Sequence, residues 1–188
     1  PGSILHTRRE TRRKTSHFRV SWIGDLGASI ANQCLIPACL LRGSRSHPSM
    51  RDISRRTEEL WGMSIGSGVD RAGMRHVVSI HSEFPEDSKL PAAEQVFEQA
   101  IAFLTELIHQ PHLVEECFCE QTVQNEALQH RRTIEGRIDD KRSWAIQRCV
   151  EETCPDEPWR FHEYGMVETL DTATPELITH LWRQMIAT

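Results

Sequence analysis

The sequence predicts an α+β domain: an antiparallel sheet with helices packed on one face. Three observations lead there. Residues 17–23 alternate, with Phe18, Val20 and Trp22 on one face, the period of a strand. Residues 63–69 and 76–84 form two further strand-like runs separated by a turn. From residue 91 onward the apolar residues recur at helical spacing. Two strands, two helices, two strands and then several helices is not the regular alternation of a parallel sheet, so the sheet is expected to be antiparallel.

Taken in order, Ile4 to Thr7 is the expected hairpin partner of the strand Phe18–Ile23, joined to it across the basic turn of residues 8–14. Gly24 to Gly27 breaks the strand. Ala28 to Leu41 reads as a helix that is apolar on most sides and therefore buried. Pro37 lies inside it, and a kink or a helix start is expected near residue 36. Ser49 caps a helix from Met50 to Trp61 that buries Ile53, Thr57, Leu60 and Trp61, and Gly62 closes it. Asp70 to Gly73 is the hairpin turn between the next two strands. Residues 85–90 form a loop, and Pro91 opens a helix carrying Val96, Phe97, Ala100, Ile101, Leu104, Leu107 and Ile108. After Pro111 the longest helical pattern runs from about Val114 to Thr153, with an interruption expected at Gly136 or at Asp139-Asp140. Its expected buried side includes Phe118, Val123, Leu128, Ile134, Ile138, Trp144, Ala145, Arg148 and Cys149. Residues 154–158 are a loop and 164–170 a short helix. Thr174-Pro175-Glu176 then starts a last helix with Leu177, Leu181 and Met185 on its apolar side.

At 188 residues the chain is long enough for one domain with a real core. Its 38% hydrophobic and 26% charged content is that of an ordinary soluble protein. A net charge of −5 supplies no basic field for nucleic acid. No apolar run approaches the ~20 residues of a membrane span, and the N-terminus has no signal-peptide core. The six cysteines form no CxxC pair, so reduced thiols and a cytoplasmic location are expected. Residues 1–188 are read as a single domain and as an N-terminal half-domain of a longer chain.

Catalytic signatures are absent. There is no GxSxG, no phosphate-binding loop, no dinucleotide-binding glycine pattern, and neither HExxH nor HxxEH. His109 and His112 with Glu115 and Glu116 have a metal-like composition, but Pro111 between them breaks the helix face, so they read as a solvated turn. Cys117 and Cys119 are two apart and point away from one another on a helix. Cys149 and Cys154 flank a helix end. All six read as small buried residues. His76 and His81 are five apart on one strand and face opposite sides. Glu126 and Glu135 do not share a helix face, and Asp139-Asp140-Lys141 reads as a kink or cap. Trp61, Trp144 and Trp159 read as core or loop anchors.

The order of motifs resembles the N-terminal domain of the pitrilysin and mitochondrial-processing-peptidase family, the inverted-zincin peptidases. The resemblance runs from the strand Phe18–Ile23 through Leu40-Leu41-Arg42-Gly43-Ser44 to Glu59-Leu60-Trp61-Gly62 and the strand after it. It continues through His76-Val77-Val78, His109-Gln110-Pro111 and the helix around Glu126, and ends at Gly165, Glu168 and Thr174-Pro175-Glu176-Leu177. Asp139-Asp140-Lys141, Arg148-Cys149 and Asp156-Glu157-Pro158 are similar to the bacterial non-peptidase-like branch, which lacks the HxxEH motif. In active members that motif lies on the helix before the Arg-Gly-Ser turn; its histidines and a downstream glutamate hold zinc, and its own glutamate activates water. Matched residue by residue, Cys34 takes the first histidine's place, Pro37 the glutamate's and Ala38 the second histidine's. Glu126 matches a glutamate of the long helix, and Thr133 falls at the third zinc ligand. The resemblance therefore implies the fold, no zinc and no peptidase reaction.

It also implies a partner. Two halves of such proteins close around a chamber, and a degenerate half helps enclose an extended peptide. The leading expectation is a catalytically inactive subunit that pairs with a homologous peptidase subunit, or with itself, and has no nucleic-acid or membrane partner. A structural or assembly subunit without any role in proteolysis is the alternative. A remnant enzyme using Cys34 or Cys39 as nucleophile is a third reading; it needs a histidine base, and the same helix carries none.

Overall fold

The structure, a computed structural model, describes residues 3–8, 10, 12–91 and 95–187. Three strands, β1 (Thr15–Asp25), β2 (Ser64–Ala72) and β3 (Arg75–Pro85), form an antiparallel sheet in the order β1-β3-β2. Both outer strands therefore keep one edge without a strand partner in the sheet. The expected α+β class is the one observed, with helices on one face. That face carries Phe18, Val20 and Trp22 of β1 and the buried His76, Val78, Ile80, Ser82 and Phe84 of β3.

The helices are α1 (Ile30–Leu40), α2 (Met50–Glu59), α3 (Val96–His109), α4 (Glu120–Gly136), α5 (Lys141–Thr153), α6 (Val167–Leu170) and α7 (Pro175–Ile186). Helix α1 lies between the sheet and α4, α6 and α7. Its apolar composition all round is satisfied because it has neighbours all round. It is one continuous helix through Pro37, without a start near residue 36. The proline's missing N–H is tolerated because buried neighbours hold the backbone on either side.

The caps follow the sequence closely. Ser49 and Asp52 form a reciprocal capping box on α2, and Thr174 accepts from Leu177 N at the head of α7. Trp61 and Gly62 both take positive φ, 58° and 74°, where α2 turns into β2. This lifts Trp61 out of the core, and it is exposed.

Several expectations are corrected. Residues 3–8 form no strand, and Ile4 and Leu5 are about four-fifths exposed, at 80% and 79%. Two apolar side chains bury too little surface to hold another strand on the edge of β1. Arg9 and Thr11 of the basic run lie outside the described residues. Strand β1 runs on through Gly24, which stands opposite His76. The hairpin loop is Gly73-Met74, later than expected, because Asp70 to Ala72 continue to pair with β3; Gly73 takes the positive φ, 60°, that the tight loop requires. Pro91 lies in a bend and α3 begins at Val96, its Phe97 N–H bonded to the Asp87 carboxylate at 3.1 Å. Residues 92–94 of the expected proline-led turn lie outside the described residues.

The long helix does not start at Val114. Val114 and Cys117 exchange backbone hydrogen bonds across a tight turn, with Glu115 and Glu116 at positive φ, and α4 begins at Glu120. The interruption falls where the sequence placed it: α4 ends at Gly136, a 3-10 turn follows, and Asp140 caps α5 through Ser143 N. The buried face differs. Leu128 and Ile138 are exposed, as are Ala145, Arg148 and Cys149, while Gln147 is the buried residue of α5. Helix α5 packs on a polar loop rather than on the main core, so an apolar-face reading misplaces its inner side. On α7 the buried residues are Ile178, Thr179 and Trp182, with Leu181 and Met185 half-buried. Of the cysteines only Cys34 and Cys39 are buried.

Because α1 is unbroken, Pro37 deprives the Gln33 carbonyl of its helical donor. Replacing Pro37 by Ala is expected to raise unfolding stability by about 1–2 kcal/mol, the helix-interior penalty of ~3 less the packing lost with the ring. Urea denaturation measures this; a loss of stability would mean that the ring's packing outweighs the missing bond.

Candidate functional site

A cleft of about 340 Å³ opens between α1, α4 and the edge strand β2. The positions singled out from sequence converge there. Cys34, Pro37 and Ala38 of α1 face Thr133 of α4 across it, and Glu126, Gln129 and His130 of α4 complete that wall. Ser67, Gly68 and Val69 of β2 form the other side, and Tyr164 caps one end. None of the metal-like clusters in the sequence contributes: His109, His112, Cys117, Cys119, Cys149 and Cys154 lie outside this lining.

The donors of the cleft are engaged in holding the fold. Cys34 Sγ donates to the Ile30 carbonyl at 3.2 Å. Burial pushes its thiol well above the ordinary range, and burial and Glu126 push Cys39 up to about 12. Both are therefore neutral thiols at physiological pH. The buried Glu126 accepts from Arg42 Nε at 2.5 Å. Thr133 Oγ1 donates to the Gln129 carbonyl at 3.1 Å, and Pro37 and Ala38 have no side-chain donor atom. This set does not fit a zinc ion, which needs free imidazole, thiolate or carboxylate ligands in tetrahedral array.

The turn after α1 owes its residues to the same packing. Arg42 pairs with Glu126. A Cβ on Gly43 would stand 2.7 Å from the Pro48 carbonyl oxygen, so only glycine fits. Ser44 is fully buried and donates to Glu106 at 2.7 Å.

Sequence reasoning missed the histidine beside Cys34. His76, from β3, brings Nε2 to 3.6 Å from Cys34 Sγ. No spacing in the sequence signals this, because the two residues lie on different elements. The pair is not arranged for nucleophilic chemistry: the thiol is held protonated, and the imidazole is held neutral by burial and lies 3.0 Å from the Glu163 carbonyl, to which its N–H donates.

His76 and His130 instead fasten a strap, residues 158–166, over the end of the cleft. His130 Nε2 lies 2.8 Å from the Tyr164 carbonyl. Arg71 donates to the Trp159 and Phe161 carbonyls, and its guanidinium stacks 4.1 Å above the Trp159 ring. Gln147 donates to the Arg160 carbonyl at 2.8 Å. Gly165, at φ 73°, rests against α1 so closely that a Cβ would fall 2.5 Å from Ala31 N.

Three histidines, His76 and His130 beneath the strap and His162 within it, are held below the ordinary histidine range, burial being the largest cause in each; His162 falls to about 4. The unfolded chain takes up protons near pH 6.5, about the free-histidine value, that the folded chain resists. Stability is thus complete above that pH and is lost as pH falls from there toward about 4. Thermal melting between pH 8 and pH 4.5 is expected to show a falling midpoint below about pH 6.5, less steep in a His130→Gln variant.

Comparison with known proteins agrees with this geometry. No family profile matches the chain. A protein of Bacillus subtilis (strain 168), described as a probable inactive metalloprotease and called YmfF, is 28% identical over 157 residues, covering 84% of this chain and 37% of the relative. Among solved structures, a conserved protein from Enterococcus faecalis V583 superposes with a TM-score of 0.86 at 25% identity, over 94% of this chain and 42% of that one. A peptidase M16 inactive domain from Pseudomonas fluorescens gives 0.62 at 17% identity, over 88% of this chain and 37% of that one. Pitrilysin gives 0.59 at 15% identity, over 94% of this chain and 18% of its own. The chain thus spans about two-fifths of the length of the first two of these relatives. In sequence the chain is similar to a protein described as a probable inactive metalloprotease, and in fold to M16 peptidase-like domains; it carries no His-x-x-Glu-His motif.

Proposed function

We propose that this domain is the non-catalytic half of a peptidase pair: it stands beside a homologue that retains the metal motif and offers β2 as a backbone template for an extended peptide. The observation that carries the reading is the position of β2. Its free edge borders the cleft at Ser67–Val69, and Cys34, Pro37, Ala38 and Thr133, the positions matched to the metal motif from sequence, line the same cleft. An unpaired strand edge presents N–H and C=O groups that an extended chain can satisfy. Neutral thiols and an internally paired carboxylate leave nothing in the cleft to hydrolyse such a chain. Exposed Leu128, Ile138 and Ile146 on the α4–α5 limb support a protein partner. Six free cysteines suit a reducing, cytoplasmic setting, and among the described residues no helix is long and apolar enough to cross a membrane.

Metal analysis tests the matched positions. The purified protein is expected to hold no stoichiometric zinc, whereas a variant combining Cys34→His, Pro37→Glu, Ala38→His and Thr133→Glu is expected to gain one zinc site. Stoichiometric zinc in the unaltered protein, lost in Cys34→Ser, would overturn the reading.

Peptide binding tests the edge. A fluorescein-labelled extended peptide should bind, and N-methylation of its alternate residues should weaken binding more than about tenfold, because two or three backbone hydrogen bonds are lost. Equal binding of both forms would exclude strand pairing. Co-purification with a homologue carrying the intact motif supports the pair; recovery only in a larger assembly without one would favour a structural role.

A further inference from the structure

We infer that the outer face of β2, at Gly66 and Gly68, selects an acidic side chain in the extended peptide; this rests on the edge-pairing reading above. β2 has two faces. One looks into the cleft. The other belongs to the side of the sheet that no helix covers, and there its residues are Ser64, Gly66, Gly68, Asp70 and Ala72. Glycine weakens a strand and is found where something else must approach closely. His81, opposite Gly66 on β3, lays its imidazole across β2, with Nε2 only 2.6 Å from where a Cβ on Gly66 would stand. Ser79 is opposite Gly68, and its Oγ lies 3.2 Å from the corresponding Cβ position.

Above Ser79 sits a cation. Arg19, from β1, donates from Nη2 to Ser79 Oγ at 3.0 Å and so leans over β3 toward β2. Among the described residues Arg19 has no ion-pair partner within bonding distance, and it is exposed. A depression of about 380 Å³ is bounded by His17, Arg19, Ser64, His81 and Glu83. A strand added to the free edge of β2 would place its outward side chains about 5 Å from the two glycines. With no β2 side chain between them, a Glu or Asp there reaches the His81 imidazole and the Arg19 guanidinium.

The carboxylates nearby confine the preference to the middle of the strand. Glu83, beside Ser64, is 3.4 Å from His17 Nε2. Asp70, two residues beyond Gly68, carries a carboxylate that accepts from Arg71 N. Acidic side chains are thus favoured over Gly66–Gly68 and disfavoured to either side.

The test uses two fluorescein-labelled decapeptides of alternating Thr and Val, with Glu or Gln at one central Thr position, titrated into the protein by anisotropy. The Glu peptide is expected to bind about threefold more tightly at low salt, the scale of an exposed charge contact. The preference should shrink in 0.5 M salt, through screening. It should vanish in an Arg19→Gln/His81→Ala double variant, survive in Arg19→Lys, and weaken in Gly66→Val, which displaces the imidazole. Thermal melting of each variant confirms the fold. Equal binding of the two peptides to the unaltered protein, or a preference that persists in the double variant, overturns this inference and leaves edge pairing intact. Failure of both peptides to bind overturns edge pairing and this inference with it.

Discussion

Nine of the eleven residues of α1 are buried, and the rest of the domain is arranged to keep them so. A helix that is apolar all round needs cover on every side. The sheet supplies it below, α4 and α7 supply it above, and the strap of residues 158–166 closes its N-terminal end where Gly165 meets Ala31. Ile30, Leu35, Ile36 and Leu40 are each about 1% exposed or less. Several polar groups near this helix bond inward. Arg42 answers the buried carboxylate of Glu126, and His76 and His130 donate to strap carbonyls. Removing Arg42 would leave the buried Glu126 carboxylate without its cation, whereas Arg42 itself is half exposed.

This arrangement explains how a helix matched in sequence to a metal-site helix serves as a structural one. At the positions matched from sequence to metal-site residues, this domain has a thiol bonded to a backbone carbonyl, a proline ring, a methyl group and a hydroxyl bonded to its own helix. Each fills space or satisfies the backbone, and together they offer a cation no imidazole, thiolate or carboxylate. The histidines that remain in the neighbourhood are equally committed. The cleft of about 340 Å³ borders an open strand edge. Such a groove does not depend on metal ligands, because ligands are single side chains whereas the groove is made by the packing of α1, α4 and β2.

The sequence by itself determined the class and much of the order. Period-two alternation marks β1 and β3, because each has one face against the core. Ser49, Thr174 and Gly62 mark helix ends, because capping is a local backbone requirement. Cys34, Pro37, Ala38 and Thr133 could be matched to a metal site from the Arg42-Gly43-Ser44 turn outward, and the turn is legible because Gly43 alone fits beside Pro48. Even the break at Asp140 is local chemistry, a carboxylate capping the next helix.

Only the tertiary structure decided the rest. Residues 4–7 look like a strand, yet pairing is a long-range choice and no neighbour holds them. Helix α5 looks amphipathic one way and buries Gln147, because its partner is the polar strap and not the apolar core. His76 meets Cys34 across 42 positions of sequence, and the strap reaches the cleft from still farther along the chain. That His81 lies over Gly66 depends on strand register, which the hairpin loop Gly73-Met74 sets and the sequence had placed elsewhere. Local hydrogen bonding and side-chain period are written residue by residue; which surfaces meet is fixed only when the whole chain closes around α1.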